Sequence, residues 1–261
     1  MKWLAGWSAC AALVACTSPD PGADCTAIYS PDIRGRILNE DGTALAEAGV
    51  QPCIVRSDDV WLCLAPTRTL QDGTFLRTLE NENACLSRLA LRISGPNDGI
   101  TRAVLYCAPG LSETSTLVEA GDMEMPVLAL PSNVDGRTVS FASGLVVELG
   151  DGDGDPATFA SAEVAPTATC FGDDDRILTT FAFGPELRLR SSRILHVPLP
   201  GVADGTHVQV LLLGGLATRL ADDSVLDEGT LAPIGDGIVM NGALDTDVPL
   251  LYSSWIAVRA D

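Results

Sequence analysis

The side chains with chemical reach in this sequence are a run of aspartates, two histidines and eight cysteines. Asp151, Asp153 and Asp155 alternate with glycine ahead of Pro156, and carboxylates at that spacing can converge on a hard cation through oxygen ligands, calcium being the cofactor they would suit. Pro156 stands where an EF-hand loop needs its glycine, and Ala162 falls where that loop places a bidentate glutamate. The run is therefore expected to be a solvated turn of an acidic protein, joined by Asp173-Asp174-Asp175 only if both loops lie at one end of the fold. His196 and His207 each sit in an apolar stretch that reads as a strand. Ser191 and Ser192 precede His196, but no serine elbow, His-Glu-x-x-His zinc helix or Gly-x-x-x-x-Gly-Lys phosphate loop is present. No catalytic residue is assigned. A pair among the 35 acidic residues could hydrolyse a glycosidic bond, and the sequence does not choose one.

Beyond Cys10 and Cys16, the cysteines are Cys25, Cys53, Cys63, Cys85, Cys107 and Cys170. None forms a Cys-x-x-Cys pair, so metal is the lesser reading, and an even set of six in an exported chain reads as disulfides. Six cysteines allow fifteen connectivities. Cys53 and Cys63 flank the turn 56–59 symmetrically and are expected to bridge a hairpin. Cys85 is expected to pair with Cys107, which leaves Cys25 and Cys170.

Export is read from the N-terminus. Lys2 supplies one positive charge, residues 3–14 are apolar but too short to span a bilayer, and Leu13-Val14-Ala15-Cys16 resembles the lipobox of bacterial lipoproteins. The resemblance implies a signal peptide over 1–15, an acylated, palmitate-bearing Cys16, and a Pro- and Asp-rich tether over 16–27 that stands off the membrane. Thr17 occupies the place of an aspartate retention signal, which points to the outer membrane of the cell envelope.

Lys2 is the sole lysine, so the chain beyond residue 15 sets 15 arginines against 35 acidic residues, a formal charge of about −20. Nucleic acid is excluded as a partner, since affinity for it comes from cationic side chains neutralising phosphates. The remaining length, about 246 residues, is ample for a buried core. A mean hydropathy of +0.23 with abundant Gly, Pro and Asp suits short strands and many turns.

Alternating apolar and polar residues mark half-buried strands at 33–38 and 89–93. Ile33-x-Gly35-x-Ile37, the Asp41-Gly42 turn, Leu45 with Ala48-Gly49-Val50, then Asp72-Gly73-Thr74-Phe75 and the strand 89–93 resemble, in order and spacing, the carboxypeptidase regulatory-like, or transthyretin-like, β-sandwich. That resemblance implies a seven-stranded accessory domain over 28–108 without catalytic residues. Residues 109–124, rich in Gly, Ser, Thr and Glu, read as a linker, and 125–261 as a second β-sandwich in which 208–213 is buried on both faces. Trp61 and Trp255 are expected in cores.

The expected whole is all-β: two β-sandwich domains, Ig-like or transthyretin-like, on a lipid anchor. Such a lipoprotein would bind or support without catalysis. Its partners would be the membrane, through the lipid, and an envelope protein or glycan. An envelope hydrolase with a carboxylate pair in the second domain, or a calcium-dependent adhesive domain, stand as alternatives.

Overall fold

The computed structural model describes residues 25–56, 61–165, 174–215, 218–220 and 224–261. Residues 1–15, read above as a signal peptide, Cys16 and the rest of the stretch read as a tether up to residue 24, Cys170 and Asp173 lie outside them. Strands and bridges make up 54% of the described residues, so the fold is all-β. The N-terminal unit contains β1 (Ile28–Tyr29), β2 (Asp32–Asn39), β3 (Gly49–Val55), β4 (Trp61–Cys63), β5 (Thr67–Arg68), β6 (Thr74–Thr78), β7 (Cys85–Leu86), β8 (Arg88–Ser94), β9 (Leu105–Cys107) and β10 (Leu117–Met125). The second contains β11 (Asn133–Asp135), β12 (Thr138–Ser140), β13 (Val146–Glu148), β14 (Ala160–Val164), β15 (Ile177–Gly184), β16 (Arg188–Pro198), β17 (His207–Leu213), β18 (Leu231–Ile238), β19 (Ala243–Tyr252) and β20 (Ile256–Ala260).

In the first unit a sheet ordered β10-β2-β6 lies against one ordered β4-β3-β8-β9, with β5 also on β3 and β1 paired to β7. The alternation read in the sequence supplies the core: Ile33, Ile37, Val50, Ile54, Leu91 and Ile93 are fully buried in one cluster. Asp41 and Asp72 each accept the amide of the residue two further on, Thr43 and Thr74 at 3.0 Å, and so close the two Asp-Gly turns.

Residues 109–124 are not a linker throughout. From Leu117 they form β10, which runs parallel to β2, with a register shift between Glu119 and Asp122. Gly121 there adopts φ 74°, and its carbonyl oxygen comes so close to Gly35 that a Cβ on residue 35 would sit 2.9 Å away. The bulge breaks the period-two pattern, which is why these residues did not read as a strand.

The disulfides also differ from expectation. Cys53 and Cys63 are bonded across directly paired positions of β3 and β4, as expected. Cys85, however, is bonded to Cys25, because β7 pairs with β1 and puts Cys85 opposite Tyr29. Neither Cys85–Cys107 nor Cys25–Cys170 forms; Cys107 is buried on β9 and belongs to neither of these bridges.

The second unit is a sandwich of two five-stranded sheets, β11-β12-β13-β16-β19 and β14-β15-β20-β17-β18. Phe183 sits at the centre of its core, edge-on to Phe141 at 5.9 Å and stacked on Phe159 at 5.4 Å. Pro249 and Pro233 lie in β19 and β18, both edge strands, the place in a sheet where proline is tolerated. The sheet containing β17 is covered twice. Val208, Val210 and Leu212 face its own sandwich, whereas Leu213, Ala160, Ala182 and Trp255 belong to the core of the first unit. Burial on both faces accounts for the unbroken apolar run of β17, and the two units share a core.

Candidate functional site

The seam between the units is built from four short segments. In the first unit, residues 101–104 run beside 126–128: the Ala103 amide donates to Pro126 O and that of Leu128 to Thr101 O, both at 2.9 Å. Facing them are the turn after β15, where the Gly184–Pro185 peptide is cis, and Ser253-Ser254-Trp255 between β19 and β20. Trp255 is buried and donates its indole N–H to Val104 O at 2.8 Å, which pins the units together. Ser253, also buried, donates to Pro185 O and accepts the Leu187 amide at 2.9 Å, fixing the turn that presents Glu186.

These segments enclose a cavity of about 240 Å³. Val104, Leu128, Phe183, Pro185 and Trp255 give it apolar walls, and Arg102, Glu186 and Ser254 give it polar ones. The Arg102 side chain is only 5% exposed and its terminal nitrogens are held, one by Asp98 at 2.8 Å and the other 3.5 Å from Asn39 Oδ1. Its Nε and the Oγ of Ser254, a residue 3% exposed, find no hydrogen-bond partner among the described residues. Each of these two atoms has almost no accessible surface, so neither is presented to the cavity.

Beside the cavity lies a half-buried cluster of titratable groups. Glu186 accepts from Tyr106 Oη and, at 3.2 Å, from Arg92 Nη2, while Arg92 Nε reaches Tyr106 Oη at 3.2 Å. Burial works against the Arg92 charge, but Tyr106 and Glu186 outweigh it and hold the guanidinium pKa above its ordinary value. Glu228, from the loop between β17 and β18, places both oxygens 3.5 Å from Cys63 Sγ. A disulfide sulfur has no proton to give. Burial pushes the Glu228 carboxyl up to about 7; Arg92 pulls it down and Glu186 pushes it further up. Tyr252 is raised to about 12, again first by burial and then by Glu186. Next to Glu228, Asp227 accepts from Trp61 Nε1 at 2.9 Å and pairs with Arg88, whose guanidinium lies over the Trp61 ring. Trp61 is thus a half-exposed contact across the seam and not the core residue expected of it.

The sequence-predicted residues fall elsewhere. Asp151, Asp153 and Asp155 are not brought together. Among the described residues only Cys53, Cys63 and Glu228 place three potential ligand atoms within 4.8 Å, and two of those are the disulfide sulfurs. Asp153 is neither solvated nor open to a cation: it is buried, and its carboxylate accepts from the Arg190 amide at 2.9 Å, Ser192 Oγ at 2.8 Å and the Gly150 amide at 3.2 Å. It staples the loop to β16. Asp155 caps the single 3-10 turn that follows, accepting the Ala157 amide at 3.0 Å. Asp174 is occupied by Arg176 and Arg259, hydrogen bonds to Arg176 chiefly holding its pKa down at about 2. His196 pairs through Nδ1 with Asp245 at 2.7 Å on the outer face of its sheet, and His207 is exposed at the start of β17.

No protein-family model matches the chain, and no curated protein matches it. Among solved structures it is similar over 43% of its length to a 9R-lipoxygenase from Cyanothece, at 14% identity and a TM-score of 0.27. The match spans 19% of that chain, and a likeness of this size carries no argument. Among the described residues no helix is long and apolar enough to cross a membrane.

Proposed function

We propose that this chain is a non-enzymatic binding module of the bacterial cell envelope, anchored by lipid at Cys16 and taking its ligand in the cavity between the two β units. The observation that carries the reading is the cavity itself, walled by apolar side chains of both units with Glu186 and Thr101 on its lining. Ligand sites are commonly apolar clefts between structural units with a few convergent polar groups. A thermal-shift screen of the mature chain against sugars, carboxylates, amines and short peptides tests it. At least one class raises Tm in the wild type and not in Ala103→Leu, which fills the cavity from its wall. If no class does so, the binding reading fails.

A second reading, an envelope hydrolase, is favoured by Glu186 and Glu228, one carboxylate paired with Arg92 and the other raised to about 7, an arrangement of two carboxyl groups in different surroundings that acid–base catalysis uses. It stands second because Glu186 lines the cavity and Glu228 does not. Turnover of aryl glycosides that is lost in both Glu186→Gln and Glu228→Gln would reverse the order.

A further inference from the structure

We propose that the open edge of the second sandwich is a binding site for an amphiphilic anion, a carboxylate or phosphate head on a single hydrocarbon chain. The site goes beyond the reading above and shares no lining residue with the cavity at the seam.

The cationic end is made by a break in a ladder. β16 and β19 pair at Arg188 with Tyr252 and again at Ser192 with Leu250, so three residues of β16 stand opposite Leu251 alone. Such a bulge frees amides from the ladder and re-aims side chains. Asp153 takes the freed Arg190 amide at 2.9 Å and Ser192 Oγ at 2.8 Å, and so holds the bulge in shape. Beside it opens a cavity of about 530 Å³ lined by Arg188, Arg190 and Arg219, with Leu251 and Tyr252 next to them. All three arginines are exposed and open to a ligand. Arg219 is held there by its bridge to Val225 and by the Leu220 amide, which donates to Ser224 O at 3.0 Å. Among the described residues no acid lines this cavity, in a chain that sets 15 arginines against 35 acidic residues. Arg188 and Arg219 already have partners, but a guanidinium carries five donors and one partner does not exhaust it. The Arg190 guanidinium makes no ion pair among the described residues.

The apolar end adjoins it. A second cavity of about 260 Å³ shares Arg219, Leu220 and Leu251 with the first and is lined from both sheets, at their outermost strands β18 and β19. Leu212, Pro233, Ile234 and Pro249 complete its walls, and Arg219 is the only polar residue on them. Positive charge at one end of a hydrocarbon slot selects the guest. A cation is repelled by three guanidinium groups, and a neutral hydrocarbon uses the slot alone. A polyanion meets the formal charge of about −20 along its whole length, whereas a single head group within a Debye length of about 8 Å feels chiefly the arginines. Guanidinium groups pair with carboxylate and phosphate alike, often through two parallel hydrogen bonds.

The test titrates butyrate, hexanoate, octanoate, octyl phosphate, octanol and octylamine into the mature chain by calorimetry. Affinity should rise with chain length, about fourfold for each CH₂ from butyrate to octanoate while the slot fills. Octyl phosphate should bind as well, octanol more weakly than octanoate, and octylamine not at all. Arg190→Gln should weaken octanoate about tenfold, the loss of one charged hydrogen bond, and leave octanol unchanged. The amide that Asp153 holds is kept in that variant, so an unchanged melting temperature separates lost binding from lost fold. Ala103→Leu, which fills the seam cavity, should bind octanoate as the wild type does, so this site and the binding-module reading can fail separately. Displacement of octanoate by phosphatidylglycerol vesicles would trace the head group to a membrane lipid, and no displacement would trace it to a free amphiphile; either result supports the class. No saturable binding of octanoate, equal binding of octylamine, no gain with chain length, or octanoate binding undiminished in Arg190→Gln or lost in Ala103→Leu overturns the proposal.

Discussion

Glu228 offers a quantitative check on the seam, because its carboxyl is half-buried against the Cys53–Cys63 disulfide with Glu186 adding to its burden. A rise from 4.5 to about 7 corresponds in full to roughly 3 kcal/mol, and contact with solvent reduces that to about 1–2 kcal/mol. The sign follows from linkage. Below pH 4.5 the group is protonated in the folded and the unfolded chain alike and costs nothing. Between 4.5 and 7 the unfolded chain releases the proton and the folded one keeps it, so stability falls as pH rises; above 7 the whole cost is carried. Glu228→Gln should therefore match the wild type near pH 4.5 and exceed it by about 1–2 kcal/mol at pH 8, about 2–8 °C in Tm for a chain of this size. Thermal melts of both proteins across pH 4.5–8.5 measure it. A difference that does not change with pH, or a Gln variant less stable at pH 8, would show that the carboxylate is compensated by contacts other than Arg92 and refute the argument.

Asp153→Ala should cost about 2–5 kcal/mol, since it strips buried acceptors from several donors at once, and calcium should shift the wild-type Tm no more than magnesium does; a calcium-specific rise of several degrees would restore the cation reading. Peptide mapping without reduction should find Cys25–Cys85 and Cys53–Cys63, and removing the first should destabilise more than removing the second, roughly 4 against 3 kcal/mol from separations of 60 and 10 residues. Gly215→Ala would drive a Cβ into the Glu186 carboxylate and to 3.0 Å from Tyr106 Oη, so a loss of about 1–3 kcal/mol is expected, seen as a lower urea midpoint. Cys16→Ala should leave an uncleaved precursor or a protein released from the membrane, and an unlabelled wild type after feeding a radiolabelled fatty acid would remove the lipoprotein reading.

Much of the fold was legible because period-two burial is a local property. Ile33 and Ile37, Leu89 to Ile93, and the apolar run at 208–213 all became strands where alternation or an apolar run had marked them. What failed was non-local. β10 was hidden by a bulge at Gly121, and the partner of Cys85 depended on β7 pairing with β1, which no spacing announces. The candidate site was illegible for the same reason. Arg102, Glu186 and Ser254 are ordinary residues in separate segments, and only the seam brings them to one cavity. The reading of the aspartate run as a solvated turn failed at Asp153, because the backbone amides of β16 claim its carboxylate and bury it.

The Cys25–Cys85 bond also decides how this protein meets mechanical load. A pull on the residues ahead of Cys25 passes through the sulfurs directly to Cys85 on β7, bypassing the ladder between β1 and β7 and the whole of β2 to β6. The stretch between the two cysteines, a sequence separation of 60, is then a covalent loop that tension cannot pay out, a withheld length of roughly 200 Å at full extension. Under tension applied ahead of Cys25 the loop holds, and the chain can lengthen only beyond Cys85 unless a reductant opens the bond.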